Sequence, residues 1–155
     1  PAGFPTVRLA QFATLLSSSE QLFSKILEAE SVRQLEHLFQ AEVSEYWQTH
    51  YIFGTASGKR QKHLGKAFIH LIIINTIVPF LYHYGEARQL VVYKERSMRI
   101  LEQLPAEDNS VLDAWKLLGA EAKSAWQSQA LLHLHKHYCT KKRCTNCNIG
   151  NYLLK

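Results

Sequence analysis

Cysteine is scarce in this sequence and odd in number: there are three in 155 residues. Three thiols exclude a fully paired disulfide framework, and with no signal peptide in view they predict a reducing, cytoplasmic setting. Long apolar runs are scarce too. The longest, Ala67 to Tyr82, carries His70, Asn75, Thr76 and Pro79, and it falls short of the roughly 20 apolar residues a membrane span needs. It reads instead as the central helix of a folded core, with Pro79 kinking or ending it and Gly85 as a stop, and no membrane is expected as a partner. There is no Gly-x-Ser-x-Gly elbow, no P-loop spacing and no Glu-x2-His di-iron motif, so no self-contained active site is legible. No low-complexity segment, linker or internal repeat breaks the chain, which predicts one domain over 1–155. Methionine occurs once, at Met98, and the first residue is Pro1. Either an initiator was removed or the chain is a fragment of something longer.

What is present is basic charge, unevenly placed. The net charge is +5, which excludes an acidic disordered tail. Residues 1–121 are nearly neutral, whereas residues 122–155 hold Lys123, Lys136, Lys141, Lys142, Arg143 and Lys155 without one acid. A second acid-free stretch between Glu45 and Glu86 contains Lys59, Arg60, Lys62 and Lys66. Two such clusters merging in the fold would form a phosphate-binding patch; apart, they are solvated surface runs.

Helical period dominates the pattern. Phe4-Pro5-Thr6 opens a largely buried helix ending near Ser17, and Ser19 begins another with Leu22, Phe23, Ile26 and Leu27 on one stripe. Ser31-Val-Arg-Gln34 fits a capping box. Tyr46 to Gly54 is less regular, and Gly54 to Arg60 is loop chemistry; Ser57-Gly58-Lys59-Arg60 is also a weak phosphate cradle on backbone amides. Ala87 to Leu104 reads as a surface helix closed by Pro105, Asn109-Ser110 opens a helix ending at Gly119, and Ala120 to Tyr138 is the last long one. The reading is a single compact all-α domain of six to eight helices, with a short Cys-containing, basic knuckle over 138–155.

That knuckle holds the sharpest local motif, Cys139-x4-Cys144-x2-Cys147. Cys-x2-Cys brings two thiolates to one metal from a tight turn, and Cys139 supplies a third donor. His133 and His137 share a helix face, so Cys139, Cys144, Cys147 and His137 form a conceivable zinc set; an iron–sulfur loop has similar spacing and needs a fourth ligand from elsewhere. Three reduced thiols that pack the tail fit the same residues, and no metal or cluster is favoured over them.

Several short motifs occur together: Phe4-Pro-x2-Arg8-x-Ala-Gln11-x-Ala13, Tyr46-Trp-x2-His50-Tyr-x-Phe53-Gly54, Ile74-Asn75-x3-Pro79-Phe80 and Leu104-Pro-Ala-Glu107-x-Asn109. Two more follow, Ser124-Ala-x2-Ser128-Gln-Ala130 and Tyr138-Cys139-x4-Cys144-x2-Cys147-x-Ile149-Gly150. In this order, over essentially the whole chain, they resemble the C-terminal region of an uncharacterised bacterial family, one of the numbered domains of unknown function (number 2851). The resemblance implies a protein more than twice as long, whose strand-rich N-terminal part is similar to restriction-endonuclease-like nucleases. Catalysis would then lie outside this chain, and the family gives the cysteines no role.

The expected function is that of a non-catalytic helical accessory domain of a larger bacterial protein. It would engage nucleic acid through Lys59, Arg60, Lys62, Lys66, Lys136, Lys141, Lys142 and Arg143. Two alternatives stand beside it: a module docking on the N-terminal domain of the same protein, and a small zinc or iron–sulfur domain.

Overall fold

A computed structural model describes residues 4–154. The all-α expectation holds: helices dominate, and the only sheet among the described residues is one small hairpin. Two compact units divide the chain, Pro1–Leu81 and Tyr82–Lys155.

In the first unit, α1 (Pro5–Ser18) starts at a proline, whose missing N–H costs nothing in a first turn. Only its i, i+4, i+8 stripe of Val7, Gln11 and Leu15 is buried, while Leu9, Phe12 and Leu16 are more than half exposed. The largely buried helix read from the sequence is therefore a one-sided helix. Gln21, in the left-handed region at φ 59°, turns the chain into α2 (Leu22–Glu28). The capping box forms as expected at the start of α3 (Val32–Leu38): Gln34 donates its N–H to Ser31 Oγ, and the Gln34 side chain accepts from the Ser31 N–H. After α4 (Glu45–Thr49) comes an unexpected hairpin of β1 (His50–Ile52) and β2 (Thr55–Ala56), antiparallel, with Gly54 at φ 73° in its turn.

The apolar run is a longer helix than its sequence suggested. α5 (Lys66–Ile72), a π-helical turn (Ile73–Ile77) and α6 (Val78–Arg88) form one continuous helix of 23 residues. Neither Pro79 nor Gly85 ends it. Pro79 has no N–H to offer the preceding turn, and the chain widens into the π turn directly before it, with the Val78 N–H reaching Ile73 O. By length and composition alone this helix is apolar enough to cross a membrane. Its Ile69, Ile73, Ile74, Ile77 and Leu81 are all buried, as are Leu35, Phe39 and Leu64 of the same unit.

In the second unit the long helix stops at Arg88 because Gln89 takes φ 57° and Leu90 donates its N–H to Gly85 O at 2.8 Å. Gly85 is needed for that close return: a Cβ there would lie 2.8 Å from Leu90 O. α7 (Val91–Gln103) buries Arg96, Ser97 and Ile100, and the chain leaves it at Leu104-Pro105 as read. α8 (Ser110–Leu117) is capped by Asn109 Oδ1, which accepts from the Val111 and Leu112 N–H groups at 3.1 Å. α9 (Ala125–Leu134) begins five residues after Ala120, where Ser124 supplies the cap, and Ala125 donates to Leu104 O at 2.9 Å. It runs on as a π-helical turn (His135–Cys139), followed by a 3-10 turn (Cys144–Asn146) and α10 (Asn148–Leu153). With α5 and α6 counted as one, nine separate helices form among the described residues, against six to eight expected.

Candidate functional site

The start of α1, the hairpin and the loop before α5 enclose a cleft of about 530 Å³ in the first unit. Thr6 Oγ1 donates to Tyr51 O, fixing α1 against β1, and the Phe4 and Tyr51 rings lie 5.4 Å apart. Gln11, only 3% exposed, holds the middle together: its Nε2 donates to Lys62 O at 3.1 Å, and its Oε1 accepts from Arg8 at 3.1 Å. The Arg8 guanidinium stacks 3.9 Å above the Phe68 ring. Arg8, Arg60, Lys62 and His63 all line the cleft beside Tyr51 and Phe68, and among the described residues no carboxylate does. The result is an aromatic-walled cavity with positive potential and no internal counter-charge.

The four loop cations expected to act alike do four different things. Arg60 is exposed at the cleft, its backbone N–H bonded to Gln48 O at 2.9 Å. Lys62 is buried, with Nζ donating to His50 O at 2.8 Å and lying 3.5 Å over the Tyr51 ring. Burial pushes its pKa down, and Arg60 pushes the same way. Lys66 points to Glu36 at 3.3 Å, a carboxylate that also accepts from His70 Nε2 at 2.6 Å. The His70 bond, helped by Lys66, holds Glu36 below its ordinary pKa against the opposing effect of burial. Lys59 is exposed. Two of the four amides of the Ser57–Arg60 cradle are already taken, Ser57 N–H by Thr49 O and Arg60 N–H by Gln48 O, and the Ser57 hydroxyl also donates to Thr49 O.

Sequence reading missed Arg8, His63, Tyr51 and Phe68. One signal was present: Gln11 occupies the middle of α1's buried stripe, and an amide placed there requires polar partners.

In the second unit, Lys136, Lys141, Lys142 and Arg143 are all exposed, and among the described residues none of them pairs with a carboxylate. The two basic clusters thus belong to different units. His133 and His137 stack at 4.3 Å and, with Tyr138, Arg143 and Asn146, line a shallow cleft of about 370 Å³. Burial first, then His133, Lys141, Lys136 and Arg143, push the His137 pKa down.

The cysteines do not assemble as the spacing allowed. Cys139 and Cys144 are exposed and Cys147 is buried, all three as free thiols. Among the described residues no three His, Cys, Asp or Glu side chains are grouped as a metal requires. Cys139, Cys144, Cys147 and His137 therefore do not fit a zinc or iron–sulfur centre in this arrangement. The backbone of α10 approaches this turn closely at Gly150, where a Cβ would lie 2.2 Å from Cys144 O.

No curated protein matches this chain, and no solved structure does. Residues 1–110 match the family described as "Protein of unknown function (DUF2851)". The matched stretch contains every residue of the cationic cleft and stops short of the cysteine motif, so the likeness read from sequence over the whole chain is narrower at its end. With 110 of its 155 residues in that match, the chain belongs to this family of unknown function.

Proposed function

We propose that this chain is a non-catalytic nucleic-acid-binding domain that holds a single strand in the cleft of its first unit. The observation that carries the reading is the cleft's composition: Arg8, Arg60 and His63 over aromatic walls, with no acid among the lining residues. Backbone phosphates take the cations, and unstacked bases take aromatic faces, a pairing tolerant of sequence because every base has a π-face. Tyr46 and Phe53, exposed around the neighbouring hairpin, add further stacking surface. Lys136, Lys141, Lys142 and Arg143 supply a second, sequence-independent phosphate contact from the other unit.

The experiment is a titration of fluorescent single-stranded DNA and RNA twenty-mers at 50 and 200 mM salt. Binding should be measurable at low salt and several-fold weaker at high salt, and Lys141→Glu with Lys142→Glu should weaken it further. No binding at low salt removes the reading. Equal affinity for the double variant removes the contribution of the tail.

A further inference from the structure

A second cavity, of about 490 Å³, opens beside the cationic cleft in the same unit and has the opposite character. Its walls are Leu15, Leu22, Ile26, Phe39, Leu64 and Ile77, side chains from α1, α2, α3's end, the loop before α5 and the π turn. The two cavities share three lining residues, Arg8, Gln11 and Phe68. Arg8, stacked on Phe68, therefore stands where an apolar compartment meets a positive one. Its one side-chain hydrogen bond among the described residues, to Gln11, leaves most of the guanidinium's five N–H donors for a ligand. Among the described residues no carboxylate lines either cavity.

The volume falls within the range of about 300–1,000 Å³ typical of small-molecule sites, and such sites pair apolar walls with a few convergent polar groups. The walls favour an alkyl chain over a nucleobase, because most of the lining is aliphatic or aromatic. A base edge needs hydrogen-bond partners, and the buried amide here, Gln11, already bonds Arg8 and Lys62 O. A neutral hydrocarbon would leave the cation at the mouth unused. We propose that this pocket binds a single-chain amphipathic anion. The alkyl chain lies among Leu15, Ile26 and Ile77, and the anionic head pairs with Arg8 at the wall shared with the cationic cleft. A carboxylate or a phosphate monoester head satisfies the guanidinium equally, through two parallel N–H donors. The inference stands apart from nucleic-acid binding, since it is read out with no nucleic acid present.

The test is isothermal titration of the full chain with decanoate, decyl phosphate, decanol and inorganic phosphate, each below its aggregation limit. One equivalent of decanoate, decyl phosphate or both should bind saturably, about tenfold or more tighter than decanol, the ratio one charge-assisted hydrogen bond confers. Inorganic phosphate should bind at least tenfold more weakly than the better alkyl anion. Preference for decanoate identifies a fatty-acid-type head, and preference for decyl phosphate a lipid-phosphate type. Arg8→Gln should bring the alkyl anion down to the affinity of decanol. Thr76→Trp fills the pocket from an exposed rim position and should abolish binding, as should Ile26→Trp from within. The proposal is overturned by non-saturable uptake of both anions, by decanol binding as tightly as they do, or by unchanged affinity in Thr76→Trp. Those results would leave the pocket to an apolar side chain of a protein partner.

Discussion

Replacing Lys62 by methionine separates what holds the cleft together from what would hold a ligand. In the native chain the Lys62 ammonium donates to His50 O at 2.8 Å, a charge-assisted bond that contributes about 1.5–3 kcal/mol. It also lies 3.5 Å over Tyr51, a contribution of about 1–2 kcal/mol where water is excluded. Against these stands the desolvation that pushes its pKa down, which the substitution relieves, and methionine retains the packing of the stem. The net expectation is a loss of about 1–2 kcal/mol, within the usual span for a buried polar group losing its partner. Urea unfolding followed by tryptophan fluorescence, to which Trp47 near the same hairpin contributes, reads this change. The pH dependence adds a second signature. A lysine whose folded pKa lies below its ordinary 10.5 binds its proton more tightly when unfolded, so the native chain gains stability as pH rises between those two values. Lys62→Met should lack that rise. Because the ammonium is turned inward, the salt dependence of single-strand binding should be nearly unchanged by the substitution, whereas Arg60→Ala should make it shallower by about 0.7 in the log–log slope. A variant as stable as the parent, or one that loses as much slope as Arg60→Ala, would refute this division of labour.

Two further substitutions probe the frame. Glu36→Gln removes the carboxylate that accepts from His70 and faces Lys66; because Lys66 is largely exposed and contributes little, the cost at pH 7 should be about 1–2 kcal/mol, mostly from the His70 bond. Glu36 titrates below its ordinary 4.5 in the folded chain, so its stabilisation is present above that pH and lost as pH falls through the lowered value. Acid unfolding curves of parent and variant should converge there, and parallel curves would contradict the assignment. Gly85→Ala should lower thermal stability even though alanine ordinarily gains about 1 kcal/mol over glycine inside a helix, because the new Cβ meets Leu90 O at 2.8 Å and Lys94 N at 3.1 Å. A rise in melting temperature would show that the Leu90 turn relaxes freely.

The elements legible from sequence were those whose signals are local. Ser31 and Gln34 satisfy each other three residues apart, and Asn109 and Gly119 bracket α8 by their own backbone chemistry, so each could be read where it stands. Pro79 and Gly85 misled for one reason: both are helix breakers in isolation, and both are accommodated by neighbours, the π turn before Pro79 and the Leu90 carbonyl against Gly85. The cleft was only half legible. Arg60 and Lys62 stood out as members of an acid-free run, but their cavity is completed by Arg8 and Gln11, some fifty residues earlier, through the Gln11 to Lys62 bond. No periodicity carries such a contact. The cysteine spacing fixed which thiols could approach one another, but not their burial. The fold turns Cys147 inward and leaves Cys139 and Cys144 exposed.

The most direct test of nucleic-acid binding is the salt dependence of single-strand affinity in the parent and in Arg8→Ala with Arg60→Ala, measured by fluorescence anisotropy from 50 to 300 mM salt. In the parent, log K should fall linearly with log salt, and in the double variant the slope should be shallower by about 1.4, two phosphate contacts at about 0.7 each. A parent that does not bind at 50 mM, or a double variant with the parent's slope, would contradict it.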